Sequence, residues 1–165
     1  YQSLQSNSAF ANIEFMQIRL AVPSENELLT DLAFRSKSFW PYREQDLIRY
    51  RSSLEVHAED ILRKSVYVAE IEGKIIGFYG ISSEPDVHRL YFLFLEPKFI
   101  GKGFGKKLWD HLLNNVKNKG WRSLTFYSDP YAMKQFYRFQ NCIPVGQLQT
   151  DLGVLIELRV DLIEG

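Results

Sequence analysis

The sequence predicts an α/β (α+β) fold, a single domain on a mixed sheet of about seven strands with helices on both faces. Three observations carry this expectation. Val66 to Ile71 and Lys74 to Ile81 are β-rich runs joined by Glu72-Gly73, the pattern of a tight hairpin whose glycine takes a positive φ. Leu90 to Leu95, Lys106 to Lys119 and Trp121 to Tyr127 read as strand, helix and strand, a crossover that sets two strands parallel. Ile143 to Leu148 and Val154 to Val160 then supply two closing strands.

The remaining elements follow in order. Met16 to Val22 alternates weakly as a first strand, which Pro23 ends. Ser24 and Glu27 form a capping box, so a helix is expected to start there and to turn Leu28, Leu29, Leu32 and Ala33 toward a core. Pro41 disfavours helical geometry in the residue before it and stops that helix by Trp40. A second helix is expected from Arg43 to about Leu54, with Leu47, Tyr50, Arg51 and Leu54 on one stripe, and a short third over Glu59 to Arg63. Leu90 to Leu95 is apolar throughout, so both of its faces are expected to be covered, and Pro97 closes it. In the crossover helix, Leu108, Trp109, Leu112, Leu113 and Val116 share a stripe, and Gly120 suits a left-handed cap. Asp129 is a good N-cap with Pro130 at the first helical position, and Asn141 can end the helix they open.

A chain of 165 residues suits one domain. Twenty Lys plus Arg offset twenty Asp plus Glu, so neither the basic excess of a nucleic-acid binder nor an acidic tail is present. A hydrophobic share of 45% is too high for disorder, yet no apolar run reaches the roughly 18 residues of a membrane span. The single cysteine, Cys142, reads as a buried apolar residue opening a strand, and with no secretory signal evident the cytoplasm is the expected compartment. Residues 1–15 lack a sustained period and read as an added leader or a flexible arm, which leaves 16–165 as the domain. Neither His57 nor His111 has a metal-ligand partner at i+4, and both read as surface groups on helical stretches.

The most informative segment is Ile100-Gly101-Lys102-Gly103-Phe104-Gly105-Lys106-Lys107, between a strand and a helix. Alternate glycines expose successive backbone N–H groups, the helix start adds partial positive charge, and Lys102 and Lys106 add full charges, which together favour a phosphate. A solvated turn with a basic rim has the same composition. The P-loop spacing fails at Ile100 and Lys107, and the dinucleotide fingerprint fails at Lys106.

What remains, Arg/Gln-x-x-Gly-x-Gly/Ala after a strand ending near a proline, resembles the GNAT superfamily of acyl-CoA-dependent N-acyltransferases. Gly103 and Gly105 match, whereas Ile100 stands where Arg or Gln is usual. Val68-Ala69-Glu70 through Gly73-Lys74-Ile75-Ile76-Gly77-Phe78 is similar to the central hairpin of that family, and Leu93-Phe94-Leu95-Glu96-Pro97 to its cofactor-lining strand. Asp129-Pro130-Tyr131-Ala132 followed by Phe136-Tyr137 resembles the helix whose tyrosine faces the cofactor sulfur, with one extra residue before Phe136 and with Asn141 at a glycine position.

The resemblance implies acetyl-CoA as co-substrate and direct attack of a neutral amine on its thioester. The pantetheine arm would lie where the strand ending at Leu95 parts from the strand starting at Trp121, lined by Leu93, Phe94 and Leu95. The pyrophosphate would lie on Gly101, Lys102, Gly103, Phe104, Gly105 and Lys106, with Asp129 also at the cofactor site. Tyr137 would protonate the departing thiolate, since a phenol of pKa about 10 stays protonated at neutral pH; on residue type alone it is a core aromatic. His88, just before the cofactor-lining strand, is the candidate general base, against the plainer alternative of a surface histidine. Phe39, Trp40 and Tyr42 would line the acceptor pocket, with Glu44 and Asp46 offering charge to a small apolar or cationic amine. The acceptor would be a primary amine of a small molecule or peptide. Neither metal, nucleic acid nor membrane is implied, and a homodimer is left open. The competing expectation is an acyl-CoA-binding module without turnover, motivated by Ile100 and by the weakness of the candidate base.

Overall fold

The structure, a computed structural model, describes residues 15–162, so the expected leader lies outside the described residues except for Phe15. The elements are β1 (Gln17–Leu20), α1 (Asn26–Lys37), α2 (Glu44–Tyr50), α3 (Ala58–Arg63), β2 (Ser65–Ile71), β3 (Lys74–Ile81), β4 (Leu90–Leu95), α4 (Phe104–Asn118), β5 (Ser123–Ser128), α5 (Pro130–Gln135), β6 (Ile143–Thr150) and β7 (Gly153–Asp161). Seven strands are present as expected, but they form two sheets, β1-β2-β3-β4 and β5-β7-β6, and not one. Within each sheet every pairing is antiparallel.

The two sheets meet at one parallel bridge, Arg89 opposite Thr125, where the Thr125 N–H donates to the His88 carbonyl at 3.2 Å. Beyond it β4 and β5 diverge. The crossover helix α4 joins them as the strand, helix, strand pattern required, and Gly120 ends it at φ +84°.

Helices cover both faces. Phe78 and Tyr79, neighbours on β3, point to opposite sides because side chains alternate along a strand. Phe78 joins Val66, Val68 and α1 residues Leu29, Leu32 and Ala33 in one core. Tyr79 joins Leu108, Trp109 and Leu112 of α4 in the other. β4 divides the same way, Phe92 and Phe94 packing on the first core and Leu93 and Leu95 on the second. All four stay only half-buried, because the strand borders the opening between the sheets.

Four local expectations are corrected. Pro23–Glu25 forms a 3₁₀ turn and the helix begins at Asn26. The acid recruited to the turn is Glu25 and not Glu27: its carboxylate accepts the Val22 N–H at 2.8 Å while Arg19 of β1 holds it at 2.8 and 3.0 Å. The second helix tightens into a 3₁₀ turn over Arg51–Leu54. The helix opened by Asp129 breaks at Phe136 (φ −130°, ψ −62°), after which Tyr137–Gln140 forms a 3₁₀ turn ended by left-handed Asn141. His111, expected on the surface, is tucked against β3, its Nδ1 2.9 Å from the Tyr79 hydroxyl and its ring 5.6 Å from that of Tyr67.

Candidate active site

The parting of β4 from β5 opens a cleft of about 740 Å³, within the usual range for a small-molecule site. One wall is the free edge of β4. Glu96 N–H bonds the Ile76 carbonyl of β3 at 2.7 Å, so by alternation the backbone groups of Leu93 and Leu95 face the opening. The Leu95 N–H indeed points away from β3, donating to Ser36 Oγ of α1 at 3.3 Å.

At one end of the cleft lies the glycine loop. Gly101 and Gly103 both take left-handed conformations, at φ +78° and +92°, which alternate the direction of successive N–H groups and leave an open concavity. Gly103 is the N-cap of α4, whose first-turn N–H groups have no carbonyl partner within the helix. Gly105 has a different task. A Cβ there would stand 3.1 Å from Leu95 and 3.4 Å from the Phe136 ring, so glycine lets α4 press against β4 and the α5 segment. Gly101, Gly103, Gly105 and Lys106 line the cleft. Lys106 also pairs with Asp110 one turn along. Lys102 is exposed, and Phe104 is buried in the core against Phe99, so neither lines the cleft.

Tyr137 is only 8% exposed and lines the same cleft, its ring packed on Phe126 at 4.8 Å, Phe136 at 5.2 Å and Trp109 at 5.8 Å. Burial, with the negative charge of Asp129 as a lesser cause, holds its phenol far above the ordinary value. It therefore stays protonated. His88 is not brought here: its ring stacks on Trp121 at 4.5 Å, and its Nε2 donates to the Pro85 carbonyl at 3.0 Å, outside the cleft lining.

At the other end, Phe39 and Trp40 line the cleft, with Trp40 stacked near-parallel to Tyr131 at 6.5 Å. Tyr42 sits behind them, edge-on to Tyr131 and Tyr50, its hydroxyl buried without a hydrogen bond and its phenol raised mainly by burial. Glu44 and Asp46 do not line the cleft, and Asp46 is bonded to Arg43 at 2.9 Å. The charges come instead from Lys37 and Asp129. Lys37 Nζ lies 3.2 Å from Asp129 Oδ2, with side chains 9% and 11% exposed, and sits over the Tyr42 and Tyr50 rings at 4.7 and 4.3 Å. Asp129 Oδ1 meanwhile accepts the Ala132 N–H at 2.9 Å as the α5 cap. Sequence reasoning missed Ser36, Lys37 and Tyr50. The signal for Lys37 was its spacing, four residues after buried Ala33 on the apolar stripe of α1.

This frame of a glycine-capped helix and parted strands is matched by a family model over residues 27–140, that of the acetyltransferase (GNAT) family. The chain belongs to the acetyltransferase (GNAT) family. Solved GNAT structures share the fold. A GCN5-related N-acetyltransferase from Rhodopseudomonas palustris is 17% identical, with a TM-score of 0.72 over 88% of this chain and 95% of that one. The PaiA N-acetyltransferase from Thermoplasma acidophilum, in complex with coenzyme A, is 19% identical, with a TM-score of 0.68 over 88% and 98%. YncA from Salmonella typhimurium, with its cofactor acetyl-CoA, is 19% identical, with a TM-score of 0.62 over 91% and 95%. No curated protein matches the chain. Among the described residues of this GNAT acetyltransferase, no group of three or more His, Cys, Asp or Glu is placed to hold a metal, and no helix is long and apolar enough to cross a membrane.

Proposed function

We propose that the chain transfers an acetyl group from acetyl-CoA to a primary amine of a small molecule or peptide by direct attack. The observation that carries this is the continuity of one cleft, from the left-handed glycines at the start of α4, along the free β4 edge, to an aromatic pocket. Gly101 opens onto free space where a Cβ would sit, which suits a bulky anion against the backbone. The N–H groups from Gly101 to Lys106 would hold the pyrophosphate. The Leu93 backbone groups and the Leu95 carbonyl would pair with the pantetheine amides as an added strand does, the Leu95 N–H being held by Ser36 Oγ.

Attack of the neutral amine forms an N–C bond and then breaks the C–S bond, leaving a thiolate. Tyr137 supplies its proton. The dry wall that raises the phenol also raises the basicity of a thiolate beside it, so the transfer is not strongly uphill. With His88 outside the cleft, the amine proton leaves to water at the open mouth once bond formation has made it acidic. Ile100 contributes no polar group, and the phosphates rest on backbone donors and Lys106.

Calorimetric titration with acetyl-CoA, followed by mass spectrometry of an amine panel incubated with it, tests this proposal. Binding together with an acetylated amine is expected. Absence of binding at millimolar acetyl-CoA overturns it, and binding with no acetylated amine assigns the chain to a CoA-binding module instead.

A further inference from the structure

Among the described residues, Asp129 is the one carboxylate that lines the cleft. A cationic acceptor needs a carboxylate or an open aromatic face for its charge, and here both are in use. Lys37 reaches in from the end of α1, pairs with Asp129 Oδ2, and lies over the rings of Tyr42 and Tyr50. The other carboxylate oxygen caps α5. Two further carboxylates lie near but outside the lining: Glu96, bonded to Arg35, and Glu157, opposite Tyr127 across the sheet. The rest of the lining carries no negative charge: it is mostly ring and aliphatic surface with neutral Ser53, Gln135 and Gln140 among it, and the rings of Tyr91 and Tyr127 already carry Lys64 and Arg89 at 4.4 and 4.8 Å, while Trp40 stacks on Tyr131.

We infer that Lys37 is a specificity-determining residue that fills the cation subsite with its own ammonium, so that the acceptor is an apolar, ring-bearing primary amine without a second positive charge. The inference rests on the proposed acetyl transfer and narrows its acceptor. A diamine, a polyamine or a lysine side chain flanked by cations would bring a charge for which the cleft lining has no free carboxylate, and would meet the ammonium of Lys37 besides. The exclusion works by repulsion and by occupancy together.

The test compares kcat/KM for two probes, phenethylamine and the linear diamine cadaverine, in the wild type and in Lys37→Met. The wild type is expected to favour phenethylamine by at least about tenfold. Lys37→Met frees Asp129 and its rings for the second ammonium of cadaverine, so the ratio of kcat/KM for phenethylamine to that for cadaverine should fall by about tenfold or more. Asp129→Asn added to Lys37→Met should undo the fall, which ties it to the carboxylate. Should Lys37→Met fail to fold, Lys37→Gln serves in its place and the wild-type preference still decides. A wild type that favours cadaverine, or a folded variant with an unchanged ratio, overturns the inference. Loss of turnover with every amine overturns the acetyl transfer itself, a different failure.

Discussion

Tyr137 and His88 show how far residue type alone reaches. Both were candidates for moving a proton, and both lie beside the divergent strands, yet only Tyr137 faces the cleft while the His88 ring is spent on Trp121. Tyr137→Phe keeps the ring packing and removes one proton, so it is expected to lower kcat by at least about tenfold with little change in acetyl-CoA affinity. Rates and calorimetric titration on the same variant check this, and an unchanged rate would make Tyr137 a packing residue. His88→Ala should leave kcat at the parental level. The tyrosine was legible because its place in the chain resembles a known pattern. Lys37 was not, because whether a lysine ending a helix snorkels out or turns in depends on Asp129, 92 residues away.

At the level of elements, what was legible is what is local. The β2–β3 hairpin, the glycine loop and the crossover helix are set by turn chemistry and apolar spacing within a few residues, and they occur where expected. The break at Phe136 was signalled only as an extra residue, since its position depends on how Phe136 meets Gly105 and Trp109. Gly103→Val tests the loop. At φ +92° a β-branched residue costs about 1–2 kcal/mol of backbone strain, and its side chain would enter the proposed phosphate site. Acetyl-CoA affinity should fall at least about tenfold, while circular dichroism shows a folded protein.

The clamp between α4 and β3 makes a second element-level prediction. Asn115 Nδ2 donates to the Tyr79 hydroxyl at 3.0 Å, which leaves that hydroxyl free to donate to His111 Nδ1. Burial lowers the His111 pKa. The folded state therefore binds fewer protons than the unfolded chain near and below the ordinary histidine value of about 6.5. This contribution to stability is present above that pH and is lost as pH falls below it. Thermal unfolding between about pH 7.5 and pH 5.5 should show the loss, and His111→Gln should flatten it.

Across the whole molecule, the single sheet that composition and alternation predict divides in two, and the division, which only the family resemblance implies, makes the site. Composition and alternation predict seven strands and two covered faces, but whether β4 and β5 stay paired depends on long-range packing that no local window contains. They part after Arg89 and Thr125, and the unpaired edge of β4 becomes a wall of the cleft and not an aggregation hazard because α1 and α4 cover its faces. The central claim is that an amine attacks the thioester directly within that opening. Initial rates of thiol release with acetyl-CoA and a turned-over amine both varied test it most directly. Release that requires the amine, with double-reciprocal lines that intersect, is the predicted result; parallel lines, the mark of an acyl-enzyme, or release indifferent to the amine would contradict it.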